Sequence, residues 1–282
     1  SYFQCLTRAW EKSKSDHEKG KKPFTQTGLL ELDDIIGGFR PGELVTLAGR
    51  PAMGKSALAW HLATASAQTG TTLLCSYEMP LYQWGFRGIA NLAGIPYRKI
   101  EEYKDLNGTE KHNIEKALAN AGDLPMYLAN CIGYDVYQLC NLIRRYHKEH
   151  DGLSAVYIDH LRKIKKSANS SDIRAYQIEE ITSALKELAI ELDCPIILLS
   201  QLNRDCEKRP DKRPILSDLK DSGSIEEDSA LVIFLYREEY YNPDTQKKGE
   251  LELIVAKNRS GPLGVAECLF RGATVQILGK AS

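Results

Sequence analysis

The chain has 282 residues, 43% of them hydrophobic and 27% charged, and a formal net charge of -1. These values suit a soluble globular protein of one large or two small domains, and they exclude a chain that holds nucleic acid by bulk positive charge. No apolar run reaches the length of a membrane span and no secretory signal is visible; seven cysteines form an odd set without a C-x-x-C pair, so the reading is a reduced, cytoplasmic protein that contacts no membrane.

At the start, Phe3, Leu6 and Trp10 recur at helical spacing before the polar, charged stretch 11–22. One helix with three apolar anchors forms no core alone. Residues 1–22 are therefore set apart as a linker helix and charged leader: packed on its own domain, disordered, or docked on a neighbouring subunit. Residues 23–282 are expected to form a single α/β domain. A short helix over 29–36 stops at Gly37-Gly38, and the apolar run 44–48 reads as a strand.

That strand runs into Gly49-Arg50-Pro51-Ala52-Met53-Gly54-Lys55-Ser56, and a helical pattern follows from Ser56. The segment satisfies G-x-x-x-x-G-K-[ST] in the strand–loop–helix context that the phosphate-binding loop requires. Residues Gly49, Arg50, Pro51, Ala52, Met53, Gly54, Lys55, Ser56 and Ala57 are the expected cradle. Glycines let backbone N–H groups close on phosphates, and the helix N-terminus adds partial positive charge. Lys55 is expected at the β/γ-phosphates and the Ser56 hydroxyl on Mg²⁺, so the chain reads as a binder of a nucleoside triphosphate, ATP with Mg²⁺.

Downstream, strands are expected over 71–77, 126–129, 155–159, 195–200 and 231–236, with helices over 81–93, 109–121, 136–148 and 178–192. Alternation of strand and helix implies a mostly parallel sheet with right-handed crossovers. The period-2 runs at 251–255 and 265–270 read as antiparallel strands at its C-terminal edge. Two loops, 161–172 and 201–221, leave consecutive core strands and should emerge on the nucleotide edge.

Asp159 ends an apolar strand, where a second Mg²⁺-directed acid belongs; a plain capping Asp is the alternative. Glu78 follows the second strand, and if that strand neighbours the phosphate-loop strand, its carboxylate can orient and deprotonate an attacking water. Gln201 ends the 195–200 strand, either sensing the γ-phosphate or merely leaving the sheet. Lys257-Asn258-Arg259-Ser260-Gly261 closes a strand with two cations; no arginine is evident within the phosphate site, and one delivered by a neighbouring subunit would supply it.

Six ordered pieces carry a resemblance: Ala48-Gly49-Arg50-Pro51-Ala52-Met53-Gly54-Lys55-Ser56, Ser76-Tyr77-Glu78-Met79, Leu199-Ser200-Gln201-Leu202-Asn203-Arg204, Asp211-Lys212-Arg213-Pro214, Leu216-Ser217-Asp218-Leu219-Lys220-Asp221-Ser222-Gly223-Ser224-Ile225-Glu226 and Ala256-Lys257-Asn258-Arg259-Ser260-Gly261-Pro262. From about Phe24 onward the chain resembles the C-terminal motor domain of the DnaB-type replicative DNA helicases. The resemblance implies a RecA-like fold, six subunits ringed around single-stranded DNA, ATP hydrolysis, 5′-to-3′ unwinding, and a primase or helicase loader as partner. It also implies Glu78 as catalytic base, Asp159 as metal-site acid, Gln201 as γ-phosphate sensor, and Lys257 and Arg259 acting in trans, Arg259 as the finger. Lys220, Asp221, Ser222 and Gly223 match a pore loop that grips the DNA backbone.

The chain departs from the family's usual pattern in three places. His160-Leu161-Arg162 stands where Tyr-Leu-Gln is usual, followed by Lys163, Lys165 and Lys166; Arg162 and Lys163 then either reach DNA phosphates in the pore or form a solvated surface. Lys220-Asp221 stands where Arg-Glu is commoner, and the family's primase-engaging N-terminal domain is not in the sequence. The rival readings are a RecA-like ATPase of another role, such as a recombinase, a helicase loader or a clock-type ring, and a nucleotide-binding assembly module that does not hydrolyse.

Overall fold

The computed structural model of the chain describes residues 1–18, 23–166, 174–219 and 223–280. Its helices are α1 (Tyr2–Glu18), α2 (Leu30–Ile36), α3 (Lys55–Ser66), α4 (Leu81–Ala93), α5 (Tyr97–Glu101), α6 (Gly108–Ala121), α7 (Val136–Glu149), α8 (Arg174–Leu192), α9 (Gly223–Asp228) and α10 (Glu238–Tyr241). The strands are β1 (Leu44–Gly49), β2 (Thr72–Ser76), β3 (Met126–Asn130), β4 (Ala155–Asp159), β5 (Ile196–Gln201), β6 (Leu231–Tyr236), β7 (Glu250–Asn258), β8 (Gly264–Arg271) and β9 (Gln276–Gly279). They form one sheet in the order β3-β2-β4-β5-β1-β6-β7-β8-β9. Strands β3 to β6 are parallel, and β7, β8 and β9 extend the sheet antiparallel, as the alternation at 251–270 implies.

The central strands are apolar at successive positions because both of their faces are buried. Val45, Leu47, Leu74, Tyr157, Ile197, Leu199, Ile233 and Leu235 pack with Leu58, Leu62 and Trp84 of α3 and α4. Their alternates, among them Leu73, Val156, Ile158, Leu198 and Phe234, pack with Leu139 and Ile143 of α7 and Ile181, Leu185 and Leu188 of α8. Each fully buried Leu or Ile contributes about 2 kcal/mol of transfer free energy. The sheet is thereby fixed between two helical layers.

Local chemistry starts and stops the helices. Capping boxes open α6, through Asn107 and Glu110, and α7, through Asp135 and Gln138. Gly37 closes α2 in the left-handed region, at φ 75°. Helix α1 leaves Tyr2, Phe3 and Trp10 exposed. Among the described residues, six cysteines are free and buried, and no helix is long and apolar enough to cross a membrane.

The strand order answers the condition placed on Glu78. Strand β2 does not neighbour β1; β4 and β5 lie between them. Successive right-handed crossovers allow a strand to be laid down some places away, with the gap filled later in the chain.

Candidate active site

The C-terminal ends of four parallel strands meet at one edge. Gly49 of β1 pairs with Gln201 of β5, and Ser76 of β2 pairs with Asp159 of β4. Ligands of open α/β sheets bind in the crevice outside such ends. Here the crevice is a cavity of about 460 Å³, lined by Pro51, Ala52, Gly54, Lys55, Ser56, Ala57, Glu78, Asp159, His160 and Gln201, and also by Arg87, Phe270, Gly272 and Val275.

The loop between β1 and α3 is shaped by backbone geometry. Ala52 and Gly54 both take positive φ, 64° and 99°. A Cβ on Gly54 would lie 3.2 Å from the Phe270 ring, so close approach as well as φ requires glycine there. Lys55 Nζ lies over the loop and donates to the Gly49 and Arg50 carbonyls at 2.7 and 3.0 Å. Burial pushes its ammonium down to about 8; Arg50 adds to the drop, while Asp159 and Glu78 oppose it.

The Ser56 hydroxyl donates to Asp159 Oδ2 at 3.0 Å. Asp159 is 6% exposed, and burial holds its carboxyl above the usual carboxylate range against the pull of the Ser56 bond, His160 and Lys55. A hydroxyl and a carboxylate are hard oxygen donors of the kind Mg²⁺ takes, with water and phosphate oxygens completing its shell. No group of three His, Cys, Asp or Glu side chains gathers as a metal cage among the described residues.

Glu78 reaches the cavity although β2 is three places from β1. Tyr77 N–H donates to the Asp159 carbonyl at 2.7 Å, extending the β2–β4 pairing to the residue before Glu78. The Glu78 Oε2 is 3.0 Å from His160 Nε2, and its Oε1 is 3.9 Å from Lys163 Nζ. Lys163, one of the two cations assigned to DNA, thus stands beside a carboxylate that lines this cavity; Arg162 is exposed next to it.

The sequence assigned Arg50 to the phosphates, but its side chain turns away. Arg50 is 8% exposed; its Nε donates to Glu207 Oε1 at 2.8 Å and its Nη1 to the Leu202 carbonyl at 2.9 Å, tying the loop to the segment after Gln201. Met53 is likewise buried in the core and, with Gly49 and Arg50, is not among the cavity's lining residues. The expectation that this domain brings no arginine to the site is also corrected. Arg87 of α4 lines the cavity, with a buried Nε that has no protein partner.

The β8–β9 turn was not foreseen. Phe270 carries the Arg237 guanidinium 4.3 Å above its ring, and Arg237 Nη1 donates to the Ala52 carbonyl at 3.1 Å. Val275 adopts φ 56°, an outlier for a β-branched residue, with its carbonyl held by Asn91 Nδ2 at 2.9 Å. Nothing in the local sequence signals either feature, since both depend on partners more than 30 residues away.

Lys257 and Arg259 lie elsewhere. Asn258 pairs with Leu231 at the start of β6, whereas Gly49 pairs with Leu235 near its end. Arg259 N–H donates to the Ala230 carbonyl, its Nη2 donates to the Glu227 carbonyl at 2.6 Å, and Lys257 Nζ donates to the Glu226 carbonyl of α9. Both cations are therefore on the sheet edge opposite the cavity. Lys220, Asp221 and Ser222 lie outside the described residues; Gly223 begins α9, with open space where a Cβ would stand.

The family model for the DnaB-like helicase C-terminal domain matches residues 25–278. The chain belongs to the DnaB-like helicase C-terminal domain family. It is 38% identical over 249 residues to the replicative DNA helicase DnaB of Pasteurella multocida, covering 87% of this chain and 53% of that protein. The DnaB of Haemophilus influenzae is 38% identical over 263 residues, covering 92% and 56%. The chain thus spans about half the length of the curated relatives it matches. Among solved structures, one described as an ATPase domain superposes with a TM-score of 0.91 at 31% identity, covering 99% of this chain and 98% of that one. A DnaB-like replicative helicase described with its interactions with primase gives 0.89 at 31%, covering 99% and 67%. The RecA-like ATPase fold with antiparallel C-terminal strands is the one the sequence implied.

Proposed function

We propose that this chain is the ATP-driven motor of a ring-forming replicative DNA helicase, translocating on single-stranded DNA 5′ to 3′. One observation carries the reading: Lys55, Ser56, Asp159, Glu78 and Gln201 share one cavity, while Lys257 and Arg259 lie on the far edge of the sheet. A site that lacks its trans-acting cations within one subunit suits a ring in which each cavity faces the next subunit's Arg259.

Lys55 and the loop amides take the β- and γ-phosphates; Ser56 and Asp159 would hold Mg²⁺, and a bound Mg²⁺ would supply neutralisation of the charge developing on the phosphates. Glu78 accepts a proton from water as its oxygen attacks the γ-phosphorus; the bond to the β-bridging oxygen breaks, and ADP and phosphate leave. Gln201 senses the γ-phosphate, and Arg259 of the adjacent copy, with Lys257, stabilises the transferring group. Residues 220–223 grip the DNA backbone, with Arg162 and Lys163 adding positive field at the nucleotide edge. Residues 23–282 form the motor and 1–22 the linker that meets a neighbouring subunit. A primase or loader is the expected partner, in a cytoplasmic setting.

The test is ATP turnover with and without single-stranded DNA, followed by strand displacement on a forked duplex. DNA-stimulated turnover with unwinding is expected, with both lost in Glu78→Gln at unchanged nucleotide affinity. Full turnover as a lone subunit, indifferent to DNA, would overturn the reading in favour of a RecA-like ATPase of another role.

A further inference from the structure

The arginine inside the phosphate motif turns its guanidinium away from the cavity, and what it grasps gives it a task. Arg50 is buried, and a buried cation is costly unless it is paired and hydrogen-bonded. One short segment meets both conditions. Nε donates to Glu207 Oε1 at 2.8 Å within an ion pair, and Nη1 donates to the Leu202 carbonyl at 2.9 Å. The Arg50 backbone is engaged at the phosphate site, since its carbonyl accepts from Lys55 Nζ at 3.0 Å. A phosphate oxygen that draws on this ammonium therefore acts on the residue that holds Glu207.

The grasped segment is braced from within. Asn203 N–H donates to the Asp218 carbonyl at 3.1 Å, closing the stretch 203–218 into a loop. Inside it the Arg209 guanidinium forks onto both oxygens of Asp218, at 2.7 Å each, and Ile215 N–H donates to the same carboxylate at 2.9 Å. Asp218 is 2% exposed. A bidentate pair fixes orientation as well as distance. Glu207 sits in the 3₁₀ turn Arg204–Lys208, just before Arg209, so a displacement at Glu207 is passed to Asp218. Strand pairing alone does not reach so far: it joins Gly49 to Gln201, and the Leu202 N–H makes the last backbone bond to Gly49, at 3.4 Å. Arg50 carries the connection five residues further, to Glu207.

We infer that the Arg50–Glu207 ion pair is a strut that couples the phosphate loop to the segment 202–219, which leads into the proposed DNA loop. Through it the affinity for nucleotide depends on DNA, and the affinity for DNA on nucleotide. The inference rests on the proposed function for its DNA end. Arg50 and Glu207 are positioning residues in this scheme and touch no reacting atom.

The experiment measures the Kd of the full chain for fluorescein-labelled oligo-dT, with ADP and with a non-hydrolysable ATP analogue. The parent should bind about 10-fold more tightly with the analogue, and oligo-dT should tighten the analogue relative to ADP by the same factor. Glu207→Leu should bring that ratio to within about 2-fold of unity, while its affinity for the analogue without DNA stays within about 3-fold of the parent. Glu207→Gln keeps an acceptor for Nε without the charge and should give less than half of the parental ratio; it decides the matter if the Leu variant does not fold. Arg50→Ala should lower the ratio as far as Glu207→Leu, and the two together no further. A merely structural role would weaken both ligands, or lower the Tm, with the ratio unchanged. If oligo-dT binds and the Glu207 variants keep the parental ratio, the strut is overturned while the motor stands. If the parent itself does not bind oligo-dT, or binds it equally with both nucleotides, the DNA end of the proposed function fails and the strut falls with it.

Discussion

Binding of a triphosphate should be accompanied by proton uptake on Lys55. Burial among the loop carbonyls lowers this ammonium from its ordinary value of 10.5 to about 8. A difference of that size corresponds to about 3 kcal/mol by which the neutral amine is favoured relative to its exposed counterpart. Phosphate oxygens placed against it reverse the balance and restore the charge. Without nucleotide, about one-tenth of Lys55 is neutral at pH 7, about half at pH 8 and about nine-tenths at pH 9. Uptake on binding should therefore rise from about 0.1 proton to about 0.9 across that range. Calorimetry with a non-hydrolysable analogue in two buffers of different ionisation enthalpy reads the number directly, and Lys55→Met should abolish it. The same shift fixes the sign for stability. The unfolded chain binds the extra proton between about pH 8 and 10.5, so the free protein should gain stability on that limb as the buried charge is shed. Uptake that is flat with pH, or unchanged in Lys55→Met, would refute the argument.

Gly88→Ala should destabilise the fold by about 1–2 kcal/mol in urea denaturation: the helix gains up to about 1 kcal/mol from alanine, but overpacking costs about 1–3 kcal/mol, since the new Cβ would stand well inside contact distance of Trp60 Cζ2, in a ring already stacked on Trp84. A variant as stable as the parent would mean that Trp60 can move freely. Arg259→Ala should silence a ring of its own kind, yet regain turnover when mixed with Lys55→Ala subunits, because each variant supplies what the other's interface lacks; absence of any complementation would argue that the finger does not act in trans.

Much of this was legible in the sequence for physical reasons. Strands β1, β4 and β5 are continuous apolar runs because parallel strands are buried on both faces, and the glycine and lysine spacing of the phosphate loop admits few backbone solutions. Asp159 was legible because a charge at the end of such a run marks where the sheet meets a crevice. Other features were hidden because they depend on pairings across long stretches of chain. Arg50 sits inside the motif, yet its guanidinium is drawn to Glu207, 157 residues on. Arg87 occupies an ordinary position on an amphipathic helix, and only the placement of α4 over the cavity turns it inward. Val275 and Phe270 lie in a short hairpin whose relation to the phosphate loop is set by the sheet order.

That order also bears on the proposed action of Arg259 in trans. Gly49 sits level with Leu235 on β6, and Arg259 is held beside Ala230, five residues earlier on the same path. At about 3.3 Å per residue this is roughly 16 Å along the strands, with two strand spacings of about 4.8 Å to cross as well. No arginine side chain spans that gap, and the guanidinium is already directed to the Glu227 carbonyl. A parallel sheet puts every strand-end acid and amide on one edge, and the antiparallel β7 returns the cations to the other. Under the proposed function, a cation delivered by β7 would complete the cavity of a neighbour whose Gly49–Gln201 edge faces it. A head-to-tail contact of this kind, repeated with closure, makes a ring. In the proposed ring, α9 is the element that would couple DNA to hydrolysis: its Glu226 and Glu227 carbonyls accept from Lys257 and Arg259, so a displacement of α9 would move both cations.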